Sequence, residues 1–392
     1  MLNKLLSGDY PRSNILSVGL VIIFAMLALC PFLIEIFGVE KGLLAINTAA
    51  KILIFILVAA SYDILLGYTA VISFAHTVFF AIGAWSVAIF MSQTNVNIFM
   101  LIVGVLAGIV TSVIISFIVG LLGLRVRSLF FTMITLALAA GFHHLIVHWY
   151  SLTGGLDGIT FQIPGTLAMK SMILPKEGDD PSLVGFMYVL YYVIFATTLA
   201  TFLFMLRLVN SPFGRVLQAI RENEFRCMAV GYKPVFYRII AICISCAIAS
   251  LAGSLYALWL KSAVPNSFLD LNIMINILIM VVIGGMGSLY GAVFGAVIMV
   301  LIENYLREFI TQAVGANGIP APDLVGVLGD NWIGIIIHET VEFLCRLTHP
   351  NRWNMYMGLF FVLVVYFFSM GIVGAFRVMA FNSNLKKMEK AK

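Results

Sequence analysis

Charged residues are scarce in this sequence, and their scarcity indicates the class of protein. Asp, Glu, Lys and Arg make up 10% of the 392 residues, whereas hydrophobic residues make up 62%. Soluble domains average about 25% charged and about 45–50% apolar residues. An ordinary globular enzyme, a disordered protein and a collagen-like chain are therefore excluded. The composition is typical of a polytopic membrane protein, and at ~20 apolar residues per span the chain has room for roughly eight to eleven spans.

Nucleotide-binding and nucleic-acid-binding patterns are also missing. The sequence has no G-x-x-x-x-G-K-[S/T] loop, the motif that cradles nucleotide phosphates. We therefore expect no nucleotide or other cofactor to be bound by the chain itself. Its Lys and Arg residues form no dense cluster, which argues against nucleic acid as a partner.

Metal-ligating residues are few. Cys243 and Cys246 lie three apart in an apolar run, without the second pair or the polar context of a zinc site. His144 and His148 have the i, i+4 spacing of a shared ligand pair, but six histidines are too few for the histidine boxes of membrane di-iron enzymes. The neighbouring Trp149 indicates a position at the membrane interface instead. We expect no metal site.

Long apolar runs predict an all-α, polytopic transmembrane helical bundle that forms a single transmembrane domain over residues 1–392. Ten runs have the length and composition of spans, and a charged segment, 207–238, separates the sixth from the seventh. The predicted spans are 15–37, 43–66, 69–91, 98–122, 128–149, 184–206, 239–260, 271–286, 289–306 and 354–376.

Basic residues predict the orientation of these spans. Cytoplasmic loops carry an excess of Lys and Arg. With ten spans and both termini in the cytoplasm, the basic residues of 207–238 and of the C-terminal tail fall on the cytoplasmic side, and the acidic cluster 177–180 falls outside. Nine or eleven spans would place the basic tail outside, so an even count is expected.

The most informative cytoplasmic segment is 211–231, which the sequence predicts to be one helix. Ser211 is a good cap and Pro212 suits the first turn. No proline interrupts the segment before Gly231, which offers a left-handed stop. An apolar stripe with helical spacing (Phe213, Val216, Leu217 and Ile220) makes the helix amphipathic. Glu222 and Arg226 have the spacing of an ion pair within one helix. Such a helix could lie on lipid or dock into a groove of a partner.

Five stretches of the sequence, in order and at matching spacing, resemble one known family. They are LGYTAVISFAHTVFFAIGAW (66–85), LRVRSLFFTMITLALA (124–139), SLTGGLDGI (151–159), SPFGRVLQAIRENEFRCMAVGY (211–232) and IMVVIGGMGSLYGAVFGA (279–296). They are similar to signatures of the permease subunits of branched-chain amino acid ABC importers, and most similar to the longer of the two permease subunits.

The resemblance implies a function and a set of partners. The chain would be an inner-membrane permease for branched-chain or related amino acids. It would be a non-enzymatic transport subunit without a cofactor, and ATP would be bound by partner subunits. Its partners would be a second permease subunit, two ATPase subunits, a periplasmic substrate-binding protein and the lipid bilayer. Import of urea, short amides or aromatic acids by the same machinery is the alternative. An ion-coupled secondary transporter would need polar clusters in two repeat halves, and a membrane enzyme would need convergent catalytic groups; neither pattern is evident.

The resemblance also implies residues for ATPase coupling. The 211–231 helix would carry ATPase motion to the spans. The coupling residues would be Ser211, Pro212, Phe213, Gly214, Arg215, Ile220, Arg221, Glu222, Glu224 and Gly231. Phe225, Arg226 and Cys227 depart from the small residues that often follow this glutamate in the family, which could tune docking to a particular ATPase.

Polar residues inside spans are candidates for the translocation path, because their burial in a membrane is costly. These candidates are Lys51, Asp63, Tyr68, Ser73 and His76. Each has a structural alternative. Lys51 could extend to the interface, Asp63 could pair with Tyr68 or with a backbone amide, and His76 could bond to a carbonyl at a helix end.

Two glycine-rich segments complete the predicted site. Gly284, Gly285 and Gly287 break an apolar region between the eighth and ninth spans, where they would allow close packing or a bend that moves during transport. Gly154, Gly155 and Asp157 form a predicted external turn that could face the binding protein.

Overall fold

The computed structural model describes residues 14–32, 39–93, 97–123, 128–164 and 181–306, with scattered positions between 358 and 374. The chain divides into two compact units, one of 1–297 with 370–392 and the other of 298–369. The predicted 307–353 region and both termini lie outside the described residues, as does most of the predicted span 354–376. The helix packing and the site described below belong to the first unit.

The described part of the chain consists of helices joined by short connections. The helices are α1 (Asn14–Leu29), α2 (Val39–Thr69), α3 (His76–Gln93), α4 (Ile98–Gly123), α5 (Ser128–His148), α6 (Tyr150–Thr153), α7 (Pro181–Asn210), α8 (Pro212–Glu222), α9 (Glu224–Ala229), α10 (Pro234–Leu260), α11 (Pro265–Phe268), α12 (Leu271–Gly284) and α13 (Leu289–Leu301). Two short strands, β1 (Ile159–Thr160) and β2 (Ser262–Ala263), pair antiparallel.

Among the described residues, seven helical segments are long and apolar enough to cross a membrane. They are Leu44–Thr69, His76–Gln93, Ile98–Gly123, Phe130–His148, Tyr188–Asn210, Pro234–Leu260 and Pro265–Gly284, and two shorter apolar helices are Val18–Phe32 and Leu289–Tyr305. The predicted all-α polytopic bundle is thus confirmed. The count of ten spans and the single-domain assignment stay predictions.

Helix α10 is the centre of the bundle. It packs against α2, α3 and α4. The contact with α3 is close because two glycines face each other's helix backbone. A Cβ atom at Gly83 would overlap the carbonyl oxygen of Ser250, and one at Gly253 would overlap the carbonyl oxygen of Phe80. Ser254 donates its hydroxyl to the Gly83 carbonyl at 3.1 Å, so the contact combines backbone approach with a hydrogen bond.

Helix α4 buries its small residues and exposes its large ones. Its buried residues recur every four positions (Gly104, Gly108, Ser112, Ser116 and Gly120), and Ser112 donates to the carbonyl of Cys246 at 2.9 Å. Large side chains such as Leu106 and Phe117 are exposed. In a membrane, lipid solvates large apolar side chains, while small ones allow close helix contact. Apolarity alone therefore does not identify the packed face.

Helix α3 begins later than the sequence predicts. The predicted span 69–91 starts at Thr69, but α2 continues to that residue and α3 starts at His76. Ala70 has φ of 55°, and the Val71 amide donates to the Leu65 carbonyl at 3.3 Å. This is the pattern that closes a helix with a left-handed residue. Residues 70–75 are consequently a non-helical connection.

The glycine contact between α3 and α10 yields a stability prediction. We expect Gly253→Ala to lower the free energy of unfolding by about 1–3 kcal/mol, because the new methyl group has no room. The measurement is the thermal unfolding midpoint in detergent. The control is Gly141→Ala on α5, where a Cβ atom meets nothing within 4 Å. Equal midpoints for the Gly253 variant and the unmodified protein would contradict the close contact.

Candidate functional site

The segment predicted as one helix over 211–231 consists of two helices. Ser211 begins α8 as expected: its hydroxyl accepts from the Gly214 amide at 3.4 Å, and Pro212 occupies the first turn. The helix ends at Glu222, and the next residue, Asn223, has an extended backbone with φ of −157°. The Asn223 side chain accepts from the Arg226 amide at 3.0 Å and so caps α9. The uninterrupted helix is therefore wrong, because the asparagine side chain favours a new helix start.

The apolar face of α8 packs on the spans of its own chain. Gly214, Leu217 and Ile220 are buried, and α8 contacts α2, α7 and α10. Phe213 stacks on Tyr237 with ring centroids 5.8 Å apart. Most of the predicted stripe thus joins α8 firmly to the membrane helices and is not available to a partner.

Exposed apolar residues lie instead on α9 and the residues after it. Phe225 is 82% exposed and Val230 is 72% exposed. Met228, Tyr232 and Phe236 are exposed as well. We call these five residues the α9 apolar patch.

An ion pair attaches α9 to the start of α10. Arg238 donates to both carboxylate oxygens of Glu224 at 3.0 Å. The predicted pairing of Glu222 with Arg226 within one helix is wrong, because Asn223 places these residues on different helices. Arg215 and Glu222 are exposed, and Gly231 has φ of 98°, in agreement with a left-handed stop.

Arg221, at the end of α8, reaches the end of α2. Its Nη1 donates to the carbonyl oxygen of Gly67. Carbonyls in the last turn of a helix lack partners within that helix, and a guanidinium is a strong donor that also suits the negative end of the helix dipole. Arg221 therefore links α8 directly to a membrane span.

Asp63, one turn before Gly67, bonds to the glycine-rich break. The Gly287 amide donates to Asp63 Oδ1 at 2.8 Å, so the predicted alternative of a backbone-amide partner agrees with the structure. Gly285 and Gly287 have φ of 112° and 83°, values that favour glycine. They lie directly after α12, which ends at Gly284.

At positions 67 and 287 of this junction there is room for glycine but not for a larger side chain. A Cβ atom at Gly67 would overlap Asp63 Oδ1 and the Gly287 amide, and one at Gly287 would lie 2.5 Å from Arg221 Nη1. We call Asp63, Gly67, Arg221 and Gly287 the coupling cluster. It brings together residues that the sequence assigned to three separate roles: ATPase coupling, translocation path and helix break.

His76 forms a second buried polar group, deeper in the bundle. Its Nε2 is 2.9 Å from the Ser61 hydroxyl. Because that hydroxyl donates to the Val58 carbonyl, His76 is the donor in this pair. Ser245 donates to the Ser61 carbonyl. The histidine thus joins α3 to α2 and, through Ser61, to α10; its partner is a hydroxyl rather than the expected helix-end carbonyl.

The connection 70–75 runs beside α5. The Phe74 amide donates to Thr135 Oγ1 at 3.0 Å, and Thr132 donates to the Ile72 carbonyl at 3.3 Å. Ser73 is buried and accepts from the Ala75 amide. The connection therefore gains part of its hydrogen bonding from side chains of a neighbouring span.

The remaining path candidates are dispersed. Tyr68 follows Gly67 in the sequence, and its side chain is buried. Lys51 is half-buried with its Nζ 5.8 Å from the centre of the Phe55 ring, within cation–π range. It lies eighteen residues before Thr69, or about 27 Å along α2, so the structure does not bring it to the coupling cluster.

The predicted external turn lies at the opposite end of the bundle from α8 and α9. Helix α10 runs from one end of the bundle to the other, and its 27 residues span about 40 Å. Gly154, Gly155 and Gly158 all have positive φ, and Asp157 is exposed. The turn leads into the β1–β2 pair, and Trp85 Nε1 donates to the Thr153 carbonyl at 3.1 Å.

Several residues of the site were missed by sequence analysis. Asn223 and Gly67 belong to quoted motifs but had no assigned role. Asn is among the best capping residues, so Asn223 could have been found. A glycine in an apolar helix indicates close packing, which is a signal for Gly67 but not for its partner. The Glu224–Arg238 pair and the two threonines of α5 have no local signal.

Comparisons with known proteins agree with this architecture. The family described as branched-chain amino acid transport system, permease component, matches residues 44–329. The high-affinity branched-chain amino acid transport system permease protein LivM of Salmonella typhimurium is 28% identical over 285 residues, 70% of this chain and 65% of that protein. The Escherichia coli protein of the same name is 27% identical over 285 residues, with the same coverage.

A third relative and the solved structures complete the comparison. The probable branched-chain amino acid transport permease protein LivM of Methanocaldococcus jannaschii is 30% identical over 133 residues, 34% of this chain and 39% of that protein. Solved structures give no significant match to the chain. The family match covers more than half of the sequence and includes the coupling cluster, the external turn and α9. This multi-pass membrane protein therefore belongs to the family of branched-chain amino acid transport system permease components.

Proposed function

We propose that the chain is the longer permease subunit of an ATP-driven ABC importer of branched-chain or related amino acids in the inner membrane. Three relatives carry names of branched-chain amino acid permeases, and the match covers 65% of the length of the two enterobacterial ones. The observation that carries the proposal is the coupling cluster. In it, Arg221 of α8 binds the end of α2, and Asp63 of α2 binds the glycine break after α12.

In the proposed machinery the chain works with four further protein subunits in a lipid bilayer. A second permease subunit completes the path, two ATPase subunits bind ATP, a periplasmic protein delivers substrate, and lipid surrounds the spans. This chain has no phosphate-binding loop of its own, which supports an external energy source. In this arrangement the permease alternates between inward- and outward-facing packings, and ATP binding and hydrolysis in the partners bias the equilibrium.

The coupling cluster supports a specific path for this bias. A shift of α8 carries Arg221, and Arg221 holds the Gly67 carbonyl. Gly67 lies against both Asp63 and Gly287, so it has no room to move independently of the break between α12 and α13. Packed elements of this kind change between discrete arrangements rather than deforming continuously. Motion at the cytoplasmic surface therefore reaches two membrane helices through one guanidinium group.

The α9 apolar patch supports a site for ATPase docking. Side chains such as Phe225 and Val230 are costly to leave in water, whereas the apolar face of α8 is already covered by its own spans. The basic residues nearby, Arg226 and Lys233, are exposed and could meet acidic groups of a partner. We therefore propose that α9 enters the ATPase groove and that α8 transmits the movement.

Uptake and co-purification test the proposed function. We expect the chain to co-purify with a separate ATPase, and we expect ATP-dependent uptake of labelled leucine to be lost on deletion of its gene. Labelled urea is the comparison substrate, since similar machinery could import it. Loss of urea uptake with unchanged leucine uptake would correct the substrate. Active transport by the purified chain alone, driven by an ion gradient, would overturn the proposal.

Docking through α9 predicts the effect of Phe225→Ala. The side chain is almost fully exposed, so the free energy of unfolding should change little. Removal of an interface aromatic residue should weaken ATPase binding about tenfold or more, and leucine uptake should fall with it. Phe117→Ala, at an exposed position on α4, is the matched control and should leave binding unchanged. Unaltered ATPase binding by the Phe225 variant would show that α9 does not dock.

Transmission through Arg221 predicts a different defect. In proteoliposomes, Arg221→Ala should keep ATPase binding but reduce leucine transport about tenfold, the loss expected for one charge-assisted hydrogen bond. Transport per ATP hydrolysed should therefore fall. Arg207→Ala, at an exposed arginine in the last turn of α7, is the control and should transport normally. Normal transport by the Arg221 variant would contradict the role of the coupling cluster.

A further inference from the structure

A cavity of about 390 Å³ lies between the start of α3, the middle of α5, α11 and the start of α12. Its size is in the range of sites for small ligands. None of the residues of the coupling cluster lines it. The polar residues that line it are Thr77, His143, His144, Asn266 and Asp270.

Two membrane helices begin at this cavity. Thr77 is the second residue of α3, and Asp270 caps α12 by accepting from the Asn272 amide at 3.1 Å. Discontinuous helices that begin inside a membrane are a common feature of substrate sites in transporters. Here the two starts are accompanied by polar side chains from α5 and α11.

The cavity lies at membrane depth. His76, next to Thr77, bonds to Ser61, which is eight residues or about 12 Å along α2 from its cytoplasmic end at Thr69. Helix α12 has 14 residues and ends beside the coupling cluster, so Leu271 lies about 20 Å from that end. The hydrocarbon core is about 30 Å thick. The cavity therefore extends from the middle of the membrane toward the outer surface.

The lining has two chemically distinct parts. Asp270 offers a carboxylate, held in place by the side-chain amide of Asn272 at 3.0 and 3.2 Å. His143, His144 and Asn266 offer N–H donors. The rest of the lining is mainly apolar and includes Phe74, Leu136, Leu269 and Leu271. One acceptor with negative charge, several donors and an apolar wall together match a zwitterion with an apolar side chain.

Other occupants fit less well. An acyl chain gains nothing from an aspartate and two histidines, which are costly to place against hydrocarbon. A metal ion needs converging ligands, and the described residues contain no group of three or more His, Cys, Asp or Glu side chains that could hold one. Leu136 and Leu271 at the rim are exposed, so the cavity opens at the surface of this chain, where a second permease subunit could complete it.

We propose that this cavity holds a zwitterionic α-amino acid with an apolar side chain during transport. Asp270 binds the ammonium group, His143, His144 and Asn266 bind the carboxylate, and the apolar wall binds the side chain. This inference rests on the proposed function, and it places a substrate site within this subunit.

Thiol labelling tests occupancy of the cavity directly. In the full complex, with the native cysteines replaced by alanine, Ala140→Cys places a thiol in the lining. Saturating leucine should slow its reaction with a small water-soluble thiol reagent about fivefold or more, as expected for a ligand that buries most of its surface in the cavity. Gly141→Cys, adjacent on α5 and not part of the lining, is the control and should react at the same rate with and without leucine.

The charge of Asp270 is tested separately. Asp270→Asn keeps the cap of α12, because Asn and Asp cap helices equally well, but it removes the carboxylate. We expect leucine transport to fall about tenfold, as for one charge-assisted hydrogen bond, and protection of Cys at position 140 to be lost. The analogue 4-methylpentanoate, which lacks the ammonium group, should not protect the thiol in the unmodified cavity.

The outcomes separate this inference from the proposed function. If the complex imports leucine but leucine gives no protection and Asp270→Asn transports normally, the cavity is not a substrate site and the proposed function stands. Equal protection by 4-methylpentanoate would overturn the assignment to a zwitterion and indicate an apolar crevice. If leucine protects the thiol but is not imported, the binding site stands and the proposed function fails. Absence of both protection and import would overturn both.

Discussion

Backbone groups freed at breaks in membrane helices must find hydrogen-bond partners within the protein, because hydrocarbon offers none. Three irregular parts of the described bundle meet this constraint. At the end of α2, Arg221 satisfies the Gly67 carbonyl, and at the break after α12, Asp63 satisfies the Gly287 amide. Along the connection 70–75, two threonines of α5 bond to the backbone. Polar side chains that look isolated in the sequence are thus the partners of helix ends.

Hydrogen bonding and apolar packing together attach α8 to the membrane helices. Helix α8 is attached to the spans by its buried apolar face and by the guanidinium of Arg221, so it is packed as part of the bundle. Helix α9 exposes its apolar residues and is attached through the Glu224–Arg238 pair. The break at Asn223 separates two helices with different surroundings: α9 leaves its apolar residues exposed, and α8 holds α2 through Arg221. The glycines at 67 and 287 then couple two spans by leaving no free space between them.

Much of the site was predictable where a residue acts on its immediate neighbours. Ser211 and Pro212 start a helix, and Gly154, Gly155 and Gly231 adopt left-handed backbone, because capping and positive φ are local properties. The late start of α3 and the break at Asn223 were not predicted, because apolar runs continue through the first and no proline marks the second. The packed face of α4 was also hidden, since hydropathy does not distinguish lipid from a neighbouring helix.

The sequence by itself determined the class of this protein, the order of its apolar segments, the glycine breaks and the family to which it belongs. The class, the apolar segments and the breaks follow from composition and local spacing, and the family follows from the resemblance of five sequence stretches to known proteins. Only the tertiary structure decided that Asp63, Gly67, Arg221 and Gly287 form one cluster, and that Asp270 shares a cavity with His143 and His144. The Arg221–Gly67 and Asp63–Gly287 hydrogen bonds and the shared cavity join residues more than a hundred positions apart. They depend on helix packing, which no local pattern encodes.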